Sequence, residues 1–192
     1  MYKIMVSEIQ YFPNIHFFHL HKLQDLILEQ NENYQKGSLR NKCKIMTSNG
    51  LLNLSIPLRK GKNSKQNIKD VKIAYDVDWQ KHHWMTIKSA YGKAAFFCDY
   101  DLLFEKLIFK KNIYLFDHNI QIIEKILPIL NCTNSIIYTE SYNETNRLKI
   151  DNLDPKNYRE YPQVFSDRFP FHENLSIIDL VMNVGPESMF YI

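Results

Sequence analysis

Residues 29–58 read EQNENYQKGSLRNKCKIMTSNGLLNLSIPL, and this stretch is the most informative of the chain because it contains a strong hairpin signal. Residues 42–47 alternate charged and apolar side chains, and the run LLNLSIPL that begins at Leu51 alternates again. Asn49 and Gly50 lie between the two runs, and both residue types tolerate the positive φ of a tight hairpin turn. The stretch therefore predicts two antiparallel strands joined at Asn49-Gly50.

The same part of the chain is basic. Residues 36–65 contain no Asp or Glu, and we call their cationic side chains the basic segment: Lys36, Arg40, Lys42, Lys44, Arg59, Lys60, Lys62 and Lys65. A patch of one charge is destabilised by self-repulsion, which an anionic ligand such as a phosphate or a nucleotide relieves. The alternative is that these side chains are only solvated on the outer face of the hairpin.

A strand, a helix and a second strand are predicted before the basic segment. Residues 3–9 are rich in apolar and β-branched side chains, residues 15–24 place apolar side chains at helical spacing, and residues 26–30 are a compact apolar run. This order is typical of a parallel crossover unit, in which ligands bind at the carboxyl ends of the strands. The side chains expected to share that edge are Tyr11, His16, Glu29 and Glu32.

The rest of the chain is mainly helical in pattern. Residues 68–73 alternate and predict one more strand beside the hairpin. Helices are predicted over residues 79–91, 101–109, 119–130 and from Ser176 to Gly185, with a short strand over 135–138 and a polar loop over 139–157. The predicted fold is α/β in one domain over residues 1–192. It has a strand-helix-strand unit, a mixed sheet with the basic hairpin, and a mainly helical C-terminal half.

Composition argues against several classes of protein. A net charge of +3 is too small for general nucleic-acid binding, so nucleic acid is not an expected partner. The three cysteines are widely spaced, which favours reduced thiols over a disulfide framework. No apolar run approaches the roughly 20 residues of a membrane-spanning helix, and Glu8 interrupts the place of a signal-peptide core. A cytoplasmic protein without a membrane span is expected.

Two histidine clusters are candidates for chemistry. His16, His19 and His21 lie close together, but no HExxH pattern or third ligand accompanies them, so no metal site is predicted. A histidine pair after a first strand can instead stabilise phosphoryl charge, although the usual phosphate-binding glycines are missing here. His83 lies four residues after Trp79, a spacing typical of packing, yet its ordinary pKa also suits a general base.

The following words occur in the chain in this order: YFP, ENYQKGSLRNKCKI, NGLLNLSIPL, IKDVKI, HHWMTIKSAYGKAAFFCDY, YPQVF and NLSIIDLVMNVGPES. Together they resemble the bacterial WbqC-like protein family over nearly the whole chain. The family takes its name from a member of a lipopolysaccharide O-antigen locus. The resemblance implies a transferase that attaches an acyl or aminoacyl group, such as glycine, to a nucleotide-linked amino sugar.

The resemblance also implies a set of site residues. The family's recurrent polar positions fall on Tyr34, Gln35, Lys36, Arg40, Asn41, His83 and Trp84, and near the end on Gln163, Ser176 and Asp179. Many members begin with a motif like QPxYFPWxGY, from which this chain departs. No Pro follows Gln10, Asn14 replaces Trp and His16 replaces Gly.

The sequence and the resemblance lead to one leading hypothesis and two rivals. In the leading hypothesis the protein binds an anionic small molecule, and the resemblance implies that this substrate is a sugar nucleotide. The cofactor is left open, and a nucleotide is one candidate. Arg40 and Lys36 would hold phosphate, Gln35 and Asn41 would orient sugar or amide groups, and His83 would accept the amine proton. The rivals are a non-catalytic binding or assembly protein of the cell-envelope pathway with a protein partner, and local RNA binding by the hairpin.

Overall fold

The two strands of the strand-helix-strand unit form a small parallel sheet. The computed structural model describes residues 6–22, 24–59, 63–133, 135–142 and 159–192. Strand β1 spans Val6–Glu8, helix α1 spans Ile15–His21 and strand β2 spans Leu26–Glu29. The two strands are parallel, with Glu8 opposite Glu29 at their carboxyl ends. The predicted strand-helix-strand unit is therefore confirmed.

The basic hairpin is confirmed as well, and it forms a sheet of its own. Strands β3 (Lys42–Thr47) and β4 (Gly50–Ser55) are antiparallel, with Lys42 opposite Ser55 and Thr47 opposite Gly50. Gly50 has a φ of +97°, which favours glycine at the end of the turn. Within the described residues the hairpin does not join the parallel strands, so the expected single mixed sheet is two separate sheets.

The C-terminal half is mainly helical, as predicted, and the fold class is α/β. Helices α2 (Trp79–Tyr91), α3 (Phe97–Phe109), α4 (Leu115–Ile126) and α5 (Ile177–Val184) account for most of it. Strand β5 (Ile136–Tyr138) adds to the free edge of β2 and gives the sheet the order β1-β2-β5. Short 3-10 helices span Leu39–Asn41, Asn63–Lys65, Ile68–Asp70 and Gly185–Phe190.

The strand predicted over residues 68–73 is wrong. A 3-10 helix starts there because the Asn67 side chain accepts a hydrogen bond from the Lys69 N–H, which favours a turn over an extended strand. Only single bridges follow, from Ile73 to Leu58 and from Lys72 to Tyr114.

Helix α5 is central to the core, since every side chain from Ile177 to Val184 is buried. Ser176 caps it as predicted, accepting a hydrogen bond from the Ile178 N–H. The Ser176 hydroxyl also donates to the Phe12 carbonyl at 3.0 Å, which joins the start of α5 to the segment after β1. In the described ranges, none of the helices combines the length and the apolar character needed to cross a bilayer.

Candidate functional site

Arg40 lies inside the protein, in the 3-10 helix Leu39–Asn41, with a fully buried side chain. Its Nε donates to Glu32 Oε1 at 2.8 Å, and its Nη2 forms an ion pair with Glu8 Oε2 at 2.7 Å. Asn119 of α4 donates to the Arg40 carbonyl at 2.7 Å. The guanidinium thus connects the end of β1 with the loop after β2, and the backbone carbonyl of Arg40 joins them to α4. The structure gives Arg40 this internal role in place of the expected phosphate contact, because its charge is already balanced by carboxylates.

Three more of the expected substrate-binding side chains are bonded within the protein. Glu29 is buried and accepts hydrogen bonds from the Asn31 N–H and the Thr139 hydroxyl, both at 2.7 Å. Tyr34 donates to Asn41 Oδ1, and Asn41 donates in turn to the Ile56 carbonyl, both at 2.9 Å. These contacts fix the loop between β2 and β3 against the end of the hairpin.

Gln35 and Lys36 differ from those residues because both are exposed. They lie in a turn that Gly37 closes with a φ of +85°, and Ser38 donates to the Gln35 carbonyl at 2.7 Å. Of the two basic-segment residues predicted to hold phosphate, Arg40 is buried and Lys36 is exposed to solvent.

His83 is the centre of a second group of polar and aromatic side chains. Its Nδ1 lies 3.1 Å from the Tyr11 hydroxyl, and its ring is hydrogen-bonded to the backbone of Ser55. The rings of Trp79 and Tyr11 lie 5.1 and 5.8 Å from the His83 ring. Burial, helped by the neighbouring His82, lowers the pKa of His83 to about 4, so the imidazole is neutral at pH 7.

Tyr11 connects the two groups. Its N–H donates to the Leu39 carbonyl beside Arg40, and its hydroxyl reaches His83. Its ring stacks on that of His118 with 6.0 Å between centroids. Burial raises the Tyr11 pKa well above its ordinary value, so the hydroxyl keeps its proton and donates to the histidine. Tyr11 thus links the Arg40 cluster to His83.

A surface cleft of about 300 Å³ opens beside His83. Its lining residues are Ser55, Pro57, Val77, Asp78, Trp79, His82 and His83. His82 is exposed there, with its ring centroid 6.2 Å from that of His83. His83, chosen as the candidate base because it is a recurrent family position, is the buried histidine, as its spacing from Trp79 indicated, and its neighbour His82 is the one that solvent reaches.

Trp84 and His16 lie in other surroundings. Trp84 is buried and stacks on Phe97 with 6.1 Å between ring centroids, so it packs α2 against α3. His16 is buried on α1, 6.5 Å from the His19 ring, and burial followed by the charge of His19 lowers its pKa. No group of three or more metal-ligating side chains occurs in the described part of the chain.

A third polar cluster surrounds Asp179 of α5, which is almost completely buried. It accepts hydrogen bonds from the Tyr91 hydroxyl at 2.8 Å, the Tyr161 hydroxyl at 2.5 Å and Gln163 Nε2 at 3.0 Å. Burial raises the pKa of Asp179. Of these residues, Gln163 and Asp179 are among the recurrent polar positions of the family, whereas Tyr91 and Tyr161 lie in the quoted words but were not predicted to join a polar cluster.

Comparison with known proteins supports one family. The model of the WbqC-like protein family matches residues 9–151 and 133–191. The uncharacterised protein Rv1507c of Mycobacterium tuberculosis is 25% identical over an alignment of 230 residues, which covers 100% of this chain and 98% of the relative. No solved structure matches the chain. Since the family model covers most of the sequence, the chain belongs to the WbqC-like protein family.

Proposed function

We propose that this protein is a cytoplasmic transferase of cell-envelope polysaccharide synthesis. It binds a nucleotide-linked amino sugar and transfers an acyl or aminoacyl group to the sugar amine. The observation that carries the proposal is the cleft at His82 and His83, where an exposed imidazole lies beside a buried neutral one at the foot of the basic hairpin. A cleft in which titratable side chains meet, one of them with a shifted pKa, is a candidate active site.

The two histidines suit different parts of this reaction. The sugar amine attacks the acyl carbonyl carbon, a C–N bond forms, and the bond from that carbon to the leaving group breaks. His82 is exposed in the cleft and accepts the proton that the amine loses, then returns it to the leaving group. His83 has Nδ1 facing Tyr11 and its ring bonded to Ser55, so it positions the wall of the cleft rather than accepting the proton.

Lysines of the hairpin supply the positive charge that the diphosphate needs. Lys42 is partly exposed and lies directly across the ladder from Ser55, which lines the cleft. Side chains opposite one another on a ladder are close enough to contact the same ligand. Lys42 therefore takes the phosphate-binding role first expected of Arg40, with exposed Lys36 as a second candidate.

Thermal-shift and calorimetric titration with UDP-linked amino sugars tests the proposal. We expect stabilisation of the wild-type protein and about tenfold weaker binding in Lys42→Ala, which corresponds to about 1.4 kcal/mol. His82→Gln should abolish transfer while binding persists. Lys125→Ala, an exposed lysine on α4, is the matched control with unchanged binding. If nucleotide-linked sugars do not stabilise the protein, or if Lys42→Ala binds them like the wild type, the proposal is wrong.

A further inference from the structure

The tip of the basic hairpin is apolar on both of its faces. Residues 45–58 contain no charged side chain. Leu51 and Leu52 follow the turn, and their side chains are 48% and 39% exposed. Successive side chains of a strand point to opposite faces, so one leucine extends from each face of the hairpin. The tip therefore places two large apolar side chains in contact with water.

Helix α2 adds a third exposed apolar side chain beside this tip. Met85 is 55% exposed, and together with Leu52 it lines a cleft of about 340 Å³ between α2 and the hairpin. The Met46 N–H of the hairpin donates to the Tyr91 hydroxyl of α2 at 3.2 Å, which holds the two elements together. We call Leu51, Leu52 and Met85 the apolar tip. Exposed apolar side chains that lie together mark sites of interaction with a protein or a membrane.

Exposed lysines accompany the apolar tip. Lys44 is exposed on β3. Lys81 and Lys88 are exposed on α2, four residues before and three residues after Met85, so all three side chains lie on one face of the helix. Neither α2 nor the two strands of the hairpin contain Asp or Glu. These elements therefore combine apolar side chains with positive charge alone, although the net charge of the whole chain is only +3.

We propose that this face of the hairpin and α2 binds the surface of an anionic lipid bilayer. The apolar tip inserts among the headgroups, and the lysines contact the lipid phosphates. Lys44 lies opposite Asn53, which is two residues or about 7 Å from Leu51, because a strand rises about 3.4 Å per residue. Amphipathic helices that lie on a bilayer bury their apolar face about 5–10 Å deep. The same depth here brings Leu51 to the acyl chains and leaves Lys44 at the phosphates.

The composition of this face favours a bilayer over a protein or a nucleic acid. Protein interfaces are enriched in arginine and aromatic side chains and depleted in lysine, whereas this face combines lysines with aliphatic side chains. Single-stranded nucleic acids stack their bases on exposed aromatic rings, but Trp79, Trp84 and Tyr91 of α2 are buried. Lysine has a long apolar stem and a strongly hydrated head. Such side chains suit the boundary between acyl chains and anionic headgroups.

Insertion of the tip leaves the cleft at His83 outside the bilayer. Ser55 lines that cleft and lies four residues after Leu51 on β4, which is about 14 Å at about 3.4 Å per residue. This distance exceeds the insertion depth of about 5–10 Å, so the cleft remains in water while the tip is inserted. The inference adds a location to the proposed transfer and does not rest on it.

Co-sedimentation of the full chain with vesicles tests the inference. We expect the wild type to bind vesicles of equal parts phosphatidylglycerol and phosphatidylcholine, and to bind phosphatidylcholine vesicles about tenfold more weakly or less. Combined Leu51→Ser and Leu52→Ser should weaken binding to the anionic vesicles about tenfold. Leu102→Ser, which changes the 64% exposed leucine of α3, should leave it unchanged. Lys44→Ala should weaken it about fivefold, and Lys125→Ala on α4 should have no effect.

Leu51→Trp measures the insertion directly. On anionic vesicles we expect its tryptophan emission to shift to the blue and to be quenched by lipids with brominated acyl chains. Leu102→Trp carries the same ring on α3 and should show neither change. Trp79 and Trp84 are buried and give the same background emission in both variants. Circular dichroism confirms that each variant is folded.

Several results would overturn the inference. One is failure of the wild type to bind anionic vesicles, and another is binding by the double leucine variant that equals the wild type. Release of the protein from vesicles by inorganic phosphate at a matched phosphate concentration would show that the lysines bind free phosphate rather than lipid. Single-stranded RNA that displaces the vesicles, or a dimer that the leucine substitutions convert to monomer, would give the face another occupant. All of these results are independent of whether nucleotide-linked sugars bind, so they leave the proposed transfer intact.

Discussion

Arg40 is the largest fully buried side chain in the described part of the chain, and its charge makes it the most consequential single residue. Taking a guanidinium out of water is costly, and two carboxylates offset that cost only because the fork of N–H groups meets both at short distance. Glu32 is as buried as Arg40, whereas the Glu8 side chain is 15% exposed. The cluster therefore depends on every partner being present.

Arg40→Met should unfold at much lower urea concentration than the wild type. Removing one partner of a buried ion pair leaves an unbalanced buried charge, which costs about 3–5 kcal/mol. Lys36→Met, four residues earlier and exposed, should change the free energy of unfolding by less than about 0.5 kcal/mol. A folded Arg40→Met protein with wild-type stability and lost ligand binding would restore the original phosphate-binding hypothesis.

The residues of the candidate site were only partly predictable. The resemblance drew attention to Arg40, Asn41 and His83, and the structure shows that all three are buried and bonded internally. Sequence reports the charge of Arg40 but not its two carboxylate partners, because Glu8 and Glu32 approach it only after the chain folds. No role was predicted for His82 or Lys42, because exposure beside a cleft also depends on tertiary packing.

Among the elements, helix α5 is bounded by a capping residue at its start and by a glycine with an unusual backbone at its end. Ser176 begins it, and Gly185 follows it with φ +54° and ψ −126°, a region in which residues with a Cβ are strained. A Cβ at Gly185 would also collide with the ring of Phe96 at the start of α3. The glycine is required both by the backbone and by the close approach of α3.

Gly185→Ala should be more destabilising than Gly37→Ala. Both glycines have positive φ, so both substitutions strain the backbone, but a Cβ at Gly37 meets no atom within 4 Å. The collision with Phe96 adds about 1–3 kcal/mol at Gly185 alone. Thermal unfolding of the two variants measures the difference, and equal melting temperatures would contradict the role given to Phe96.

Elements with local signals were predicted well, and those without were not. The hairpin and the Ser176 cap are both confirmed, because each is decided by neighbouring residues. The turn itself lies one residue earlier than predicted, at Ser48-Asn49, with Gly50 as the first residue of β4. Helices α3 and α4 were expected to begin at Asp101 and Asn119, but they begin at Phe97 and Leu115. Neither has a side-chain cap at its start, so burial of apolar residues fixes these ends without a sequence signal.

For the molecule as a whole, buried histidines make stability depend on pH. Burial lowers the pKa of His21, His83 and His118 from 6.5 to about 4. Between these values the unfolded chain binds protons that the folded protein does not, so the free energy of unfolding falls as pH decreases from 6.5 to 4. The raised pKa of Asp179 acts in the opposite direction and offsets part of this fall.

Replacing one of these histidines should make the free energy of unfolding change less steeply with pH. Each proton contributes up to about 1.4 kcal/mol per pH unit within the window. Between pH 6 and pH 4.5, we expect the free energy of unfolding of His118→Leu to fall less steeply than that of the wild type, by an amount of that size per pH unit. This difference in pH dependence is expected whatever the stability of the variant at pH 7. Urea unfolding of both proteins at several pH values measures it, and identical slopes would show that His118 does not remain neutral when buried.

The order of the parallel sheet also matters while the protein is being made. Strand β2 is the middle strand, and Leu26 pairs with Ile136, a position synthesised 110 residues later (136 − 26). At about 5–20 residues per second, the ribosome needs roughly 5–20 s to supply that partner. The hairpin of β3 and β4 can close during this interval, whereas the apolar edge of β2 stays uncovered. The nascent chain therefore offers chaperones, or neighbouring nascent chains, a strand edge that the finished protein no longer has.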